Sequence, residues 1–115
     1  MKFSESLRKN KDFQNVYENG ISYANRYLVM YKKENNLDRN RVGISVSKKV
    51  GNSVVRHRLT RLVRESYRLQ EDCFLCVYDI VFVVRVSAKC VNYLEMESAL
   101  IHLGKLHEIY QQQSC

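Results

Sequence analysis

The sequence contains no proline and no tryptophan, and only four of its 115 residues are glycine. Repeats, low-complexity stretches and glycine-rich linkers are also missing, so nothing marks a domain boundary. We therefore predict a single domain over residues 1–115, of which about the last eight form a loose tail. A chain of this length buries roughly 65% of its unfolded surface, which suffices for a core without disulfides or metals.

Long hydrophobic runs are missing as well. The longest, residues 80–84, is far shorter than the ~20 residues that a membrane-spanning helix needs. Residues 1–5 lack the apolar stretch of a signal peptide. We therefore expect a soluble cytoplasmic protein that is neither secreted nor bound in a membrane.

Cysteines and carboxylates are not grouped as metal ligands. Cys73 and Cys76 form one CxxC pair, but neither a second pair nor a suitably spaced histidine pair accompanies them. We expect reduced thiols, with a redox role for this pair as the weaker alternative. Because no carboxylate cluster suited to two metal ions appears either, we predict neither a metal site nor a catalytic residue in the protein.

Negative charge is scarce in one segment. Residues 39–68 contain a single acid, Glu65, and nine basic residues, which more than account for the net charge of +7 of the whole chain. Such a segment is typical of a site for a polyanion, either RNA, DNA or an anionic membrane surface, although a solvated charged face is the alternative. Its basic residues are Arg39, Arg41, Lys48, Lys49, Arg56, Arg58, Arg61, Arg64 and Arg68.

The hydrophobic periodicity predicts six elements in the order α-β-β-α-β-α, an α+β or α/β sandwich of at least three strands. We expect the first two strands to form a hairpin and the second and third to be parallel, because a helix connects the latter two. The third strand is almost wholly apolar, which is typical of a central strand covered on both faces. The predicted elements are a helix over 9–19 capped by Gly20, strands over 21–33 and 41–47, a helix over 54–69 after an N-cap in 51–53, a strand over 79–85 and a helix over 92–110.

The second helix separates its basic and apolar residues. At 100° per residue, its apolar side chains occupy one arc, whereas His57, Arg61, Arg64 and Arg68 lie in another. Arg58 falls at the edge of the basic arc and Arg56 lies apart from it. Arginine predominates here, and its planar guanidinium matches phosphate oxygens in pairs.

Aromatic residues precede this basic segment. Tyr23, Tyr27 and Tyr31 are spaced by four, so an unbroken strand would place them on one face. Such a face can stack unpaired bases, or it can line the core beneath a helix. Both roles stay open for Phe13, Tyr17 and Tyr31, whereas we expect Tyr23 to lie in the core.

The central run RVGISVSKKVGNSVVRHRLTRLVRESYR, residues 41–68, closely resembles the signature of the bacterial ribonuclease P protein family. The resemblance extends to KNKDFQNVYENG, NRYLVMYKK and YDIVFVVR, and it covers most of residues 1–105. The family pattern has asparagine at the position of His57 and a basic residue at that of Thr60. A proline commonly follows the arginine that corresponds to Arg85.

The resemblance implies a two-layer sandwich of the ribosomal protein S5 domain 2-like type, with a left-handed β-α-β crossover against the usual rule. It implies a bacterial cytoplasmic protein subunit that supports a catalytic RNA. That RNA, with Mg²⁺, removes the 5′ leader from precursor tRNA. The expected partners are the ribonuclease P RNA and precursor tRNA, with no membrane and no small-molecule substrate. Two alternatives are a structural RNA-binding protein of the ribosomal type and a metal-dependent nuclease in its own right.

The resemblance also implies two groups of binding residues. One is a basic loop and helix that face RNA, comprising Lys48, Lys49, Asn52, Arg56, His57, Arg58, Arg61, Arg64 and Arg68. The other is a cleft between the first helix and the sheet that meets the leader, comprising Phe13, Tyr17, Arg26, Tyr31 and Arg85.

Overall fold

The computed structural model describes residues 4–111, which form one five-stranded mixed sheet with three α-helices. Two short 3₁₀ turns, residues 71–73 and 86–88, precede and follow the last strand. The elements are β1 (Glu5–Ser6), α1 (Asn10–Asn19), β2 (Ile21–Ala24), β3 (Leu28–Glu34), β4 (Arg41–Ser45), α2 (Ser53–Gln70), β5 (Tyr78–Val84) and α3 (Tyr93–Leu106).

Strand β5 lies at the centre of the sheet, whose order is β1-β4-β5-β3-β2. It pairs in parallel with β4 and antiparallel with β3, and α2 is the crossover between β4 and β5. Ile80, Val81 and Phe82 are completely buried although successive side chains point to opposite faces. The predictions of a buried central strand and of a parallel pair around the basic helix are therefore confirmed.

The prediction of one strand over 21–33 is wrong, because the chain turns back between β2 and β3. The side chain of Asn25 accepts hydrogen bonds from the backbone amides of Tyr27 and Leu28, and this local bonding makes the turn. The predicted hairpin with 41–47 is also wrong. Strand β5 lies between β3 and β4, where its apolar side chains are covered on both faces.

The sheet is covered on both faces, so the molecule has three layers rather than the two predicted. Helix α1 packs on one face, where Leu7, Val16 and Val81 are buried. Helices α2 and α3 pack on the other face over the larger core, which includes Leu59 and Phe82. The apolar residues of β5 point alternately to these two cores, and each face therefore needs a cover.

The ends of the helices follow local capping rules. Helix α1 ends at Gly20 as predicted, and the side chain of Asn52 caps α2 by accepting a hydrogen bond from the amide of Val55 at 3.0 Å. Asn92 and Glu95 form a capping box at the start of α3.

The end of the chain differs from the prediction. Helix α3 ends at Leu106 rather than at residue 110, and Ile109 beyond it is only 1% exposed. Tyr110 packs edge-on against Phe74, with ring centroids 5.4 Å apart. The predicted loose tail is therefore wrong for its first residues, because they complete the core. Residues 112–115 lie outside the described residues.

Candidate RNA interface

Helix α2 presents a basic face because its apolar face is anchored in the larger core. Leu59, Val63 and Tyr67 are completely buried beneath it. The side chains that the sequence places in the basic arc are exposed: His57, Arg58, Arg61, Arg64 and Arg68. The predicted separation of the two faces is thus present in the structure.

Three arginines of the basic segment are paired with acids, so its positive charge is smaller than the sequence suggests. Arg39 pairs with Glu5 at 2.8 Å and with Asp38 at 3.0 Å. Arg68 pairs with Glu65 one helical turn away, and this hydrogen bond lowers the pKa of Glu65. The third, Arg41, is paired with a buried carboxylate of β5.

Arg58 is exposed, yet its guanidinium is fixed by backbone oxygens. It donates to the carbonyl of Lys89 at 3.2 Å and also to that of Val91, both in the loop before α3. Neutral carbonyls orient the guanidinium without cancelling its charge, so Arg58 presents a fixed cation beside α2.

Lys48 and Lys49 are exposed in the turn before α2, and buried Val50 anchors this turn. Asn52 follows them at the helix start, where its side-chain oxygen is engaged in the cap. The lysines therefore lie beside a helix N-terminus, whose amide dipoles favour anions.

Arg56 lies apart from the exposed row, as predicted. It is half-buried in a groove of about 430 Å³ between α2 and the end of β4. Ile44 and Val46 form the β4 side of this groove, and His57 and Arg64 line it as well.

Two residues that the sequence patterns do not single out lie next to this basic face. Arg8 lines a small depression of about 230 Å³ together with Arg64. Tyr93 lines a larger one with Arg58 and Arg61. Arg8 is far from the basic segment in sequence, and only the parallel pairing of β1 with β4 brings it close. In the sequence, Tyr93 was marked only by its position as an aromatic residue directly after the helix cap Asn92.

Phe13, Tyr17 and Tyr31 come together on the opposite face of the sheet, between α1 and β3. The rings of Tyr17 and Tyr31 meet edge to face with centroids 4.9 Å apart, and Phe13 lies 6.3 Å from Tyr17. A Cβ atom at Gly43 would lie 2.5 Å from Cζ of Phe13, so the missing side chain lets this ring lie against β4. All three aromatic residues are half-buried, which leaves part of each ring accessible from the cleft.

Arg26 is part of the β2–β3 turn and Arg85 lies beside it, but their side chains point to different faces of the sheet. Val83 packs in the α1 core, and alternation along β5 directs Arg85 to the same face. Its guanidinium donates to the carbonyl of Asn25 at 2.7 Å. Arg26 instead stacks 5.3 Å from the centre of the Tyr27 ring and lines a depression beside α3. Strand alternation therefore directs Arg85 to the α1 face, whereas Arg26 lies beside α3.

Tyr23, Tyr27 and Tyr31 do not share a face. Tyr23 is directly opposite Met30 in the β2–β3 register, so it points to the α3 face, whereas Tyr31 points to α1. Tyr23 is 45% exposed and contacts the ring of His107 edge-on. The prediction that Tyr23 lies in the core is wrong because β2 is an edge strand.

Within residues 4–111, no three histidine, cysteine, aspartate or glutamate side chains converge on a point where a metal ion could bind. Cys73, Cys76 and Cys90 have free thiols. None of the helices described is long and apolar enough to cross a membrane.

An α+β fold with an arginine-rich helix on one face of its sheet and an aromatic cleft on the other defines an RNA-binding protein. A family model described as Ribonuclease P matches residues 1–107. The ribonuclease P protein component of Lachnoclostridium phytofermentans is 60% identical over 106 residues, covering 92% of this chain and 91% of that protein. The chain therefore belongs to the ribonuclease P protein family.

Solved structures agree with this assignment. The RNase P protein of Staphylococcus aureus matches with a TM-score of 0.85 and 37% identity, covering 92% of this chain and 97% of that one. The RNase P protein of Thermotoga maritima matches with a TM-score of 0.81 and 30% identity, covering 88% and 96%. Members of the family are the protein subunit of the endoribonuclease that processes tRNA 5′ ends, and this is the function of the chain. The ribosomal-type alternative finds no support in these relatives.

Proposed function

We propose that the chain binds two RNA elements on opposite faces of its sheet. The basic face of α2, with the Lys48–Lys49 turn, binds the catalytic ribonuclease P RNA. The cleft of Phe13, Tyr17 and Tyr31 receives the 5′ leader of precursor tRNA. The observation that carries this proposal is that Arg61 and Arg64 have no acidic partner within 4 Å in the described part of the chain, although neighbouring arginines do.

Free guanidinium groups favour the RNA backbone for electrostatic reasons. Each phosphate contact by an arginine releases condensed counterions, so affinity grows with the number of unpaired arginines and falls with salt. A leader strand is unpaired, and aromatic rings such as those of Tyr17 and Tyr31 stack on unpaired bases whatever their sequence. The two surfaces thus suit a structured RNA and a single strand, respectively.

The proposal also includes two expectations that come from the family resemblance. They are an S5 domain 2-like arrangement with a left-handed β4–α2–β5 crossover, and action in the bacterial cytoplasm. As the family resemblance implies, we assign the Mg²⁺ requirement to the RNA-containing enzyme, in which one or two carboxylates, water and phosphate oxygens are the usual ligands of this ion.

The test is cleavage of a precursor tRNA by a bacterial ribonuclease P RNA at limiting Mg²⁺, with and without this protein. We expect the protein to stimulate cleavage by the RNA and to cut nothing alone. Cleavage by the protein alone would contradict the proposal. Intact RNA binding without any stimulation would also contradict it.

A further inference from the structure

A depression of about 490 Å³ lies between α2 and the start of α3. Arg58, Arg61, Leu62 and Glu65 line its α2 side, because residues spaced by three and four share one face of a helix. Tyr93 lines the α3 side. The volume is within the range of sites that enclose one small ligand.

The depression carries a net positive charge. Glu65 is neutralised by Arg68, and Arg58 donates to two neutral carbonyls and has no acidic partner within 4 Å among residues 4–111. Arg61 and Arg64, which also line it, have no acidic partner within 4 Å among residues 4–111. The ligand that suits this depression is therefore an anion. A phosphate group is the best match, because arginine forms paired hydrogen bonds with phosphate oxygens.

Tyr93 adds an aromatic surface to this anion site. Its hydroxyl donates to Glu97 at 2.6 Å, which fixes the side chain against α3. Because the hydroxyl is engaged within the protein, the ring is the part that remains for a ligand. Leu62 lies in the same lining and makes this part of the wall apolar.

We propose that this depression binds one unpaired nucleotide of the ribonuclease P RNA, with its base stacked on Tyr93 and its phosphate on Arg61 or Arg64. Extruded bases stack on aromatic rings and guanidinium planes while the backbone is held by basic side chains. The leader is the less suitable occupant because its cleft is on the α1 face, across the sheet. The inference rests on the proposed function of α2 and assigns Tyr93 a role in it.

The first test compares binding of the purified protein to the ribonuclease P RNA and, separately, to precursor tRNA. We expect Tyr93→Leu to weaken binding to the ribonuclease P RNA about 5- to 150-fold, as the loss of one stacked base predicts. The salt dependence should not change because no charge is removed. Tyr93→Phe keeps the ring and should bind like the unmodified protein.

A matched control is Tyr110→Leu, which also removes a half-buried tyrosine whose hydroxyl donates to a side chain, here that of Gln70. It should leave RNA affinity unchanged. Equal losses for Tyr93→Leu and Tyr93→Phe would overturn the proposal, as would a loss confined to precursor tRNA. If Tyr93→Leu binds normally while Arg61→Ala is weakened, the proposal fails but the function of the basic face stands.

A second measurement does not depend on the stability of a variant with a smaller side chain. A photoreactive p-azidophenylalanine replacing Tyr93 should crosslink to one short unpaired stretch of the ribonuclease P RNA in the assembled enzyme. The same group replacing Tyr110 should give no crosslink at that stretch. Crosslinks only to precursor tRNA, or none at all, would overturn the proposal.

Discussion

The guanidinium of Arg41 forms a two-point ion pair with the carboxylate of Asp79: Nε donates to Oδ1 at 2.8 Å and Nη2 to Oδ2 at 2.6 Å. The two residues are directly opposite each other in the parallel β4–β5 pair. Asp12 of α1 lies 3.7 Å from the same guanidinium. The pair therefore joins both central strands to the helix that carries Phe13 and Tyr17.

Removing one partner of this pair should destabilise the fold. The Asp79 side chain is only 3% exposed, so Asp79→Asn leaves the half-buried guanidinium of Arg41 with only the longer contact to Asp12. We expect a loss of about 3 kcal/mol in the free energy of unfolding, measured with urea. Asp12→Asn, which removes only the longer contact, should cost less than about 1 kcal/mol. Similar losses for the two variants would show that the Asp79 contact stabilises the fold no more than the Asp12 contact does.

Unpaired arginines should set the salt dependence of RNA binding. We expect Arg61→Ala or Arg64→Ala to weaken binding to the ribonuclease P RNA and to lower the slope of log affinity against log salt by about 1. Arg39→Ala is the matched control because Arg39 is paired with Glu5 and Asp38. An unchanged slope for Arg61→Ala and Arg64→Ala would remove these residues from the contact set.

Glu65 should restrain RNA binding by holding Arg68. The substitution Glu65→Gln removes the carboxylate that pairs with Arg68, so this guanidinium becomes available for a phosphate. We expect a higher affinity for the RNA and a steeper salt dependence, measured by filter binding over a salt series. The double variant with Arg68→Ala should lose both gains. Unaltered affinity in Glu65→Gln would mean that Arg68 faces away from the RNA.

The aromatic cleft should distinguish substrates that carry a leader. We expect Tyr17→Ala to weaken binding of precursor tRNA to the assembled enzyme by about 1–3 kcal/mol, the cost of one lost stacked base, and to spare mature tRNA. Tyr23→Ala removes a tyrosine on the α3 face and should not discriminate between the two. Equal losses for both tRNAs in Tyr17→Ala would assign Tyr17 to the core alone.

His107 should make the fold sensitive to acid. Burial lowers its pKa, opposed by the hydrogen bond to the Met30 carbonyl at 2.8 Å and assisted by the nearby charge of Lys32. The unfolded chain has the ordinary histidine pKa of about 6.5, so it takes up a proton in acid that the folded chain excludes. This contribution to stability is complete above about pH 6.5 and is lost as the pH falls below it.

The measurement is the free energy of unfolding at several pH values between 7.5 and 5.5. We expect His107→Gln to flatten the decline, by at most about 1.4 kcal/mol per pH unit. His102→Gln is the control because His102 is exposed. A decline of the same steepness in His107→Gln as in the original protein would refute the assignment to His107.

The sequence alone determined the elements whose signals are local. The apolar and basic arcs of α2, an N-cap within residues 51–53 and the C-cap at Gly20 depend on neighbours within one or two helical turns, so periodicity and capping rules predicted them. The structure identifies Asn52 as the N-cap. The run of apolar residues in β5 similarly predicted a central strand. The basic segment predicted a site for a polyanion for the same reason, because its charges lie within one short segment of the chain. The family resemblance implied that this polyanion is RNA.

Only the tertiary structure decided which residues meet across long sequence distances. The side chain of Asn25 broke the predicted strand, and the position of β5 between β3 and β4 separated the predicted hairpin. Pairing with acids decided that Arg41 is structural, and its partner Asp79 is 38 residues away in the chain. Arg61, in contrast, has no acidic partner within 4 Å among residues 4–111. The meeting of Tyr93 with the arginines of α2 likewise depends on packing between helices, which periodicity along one chain segment does not contain.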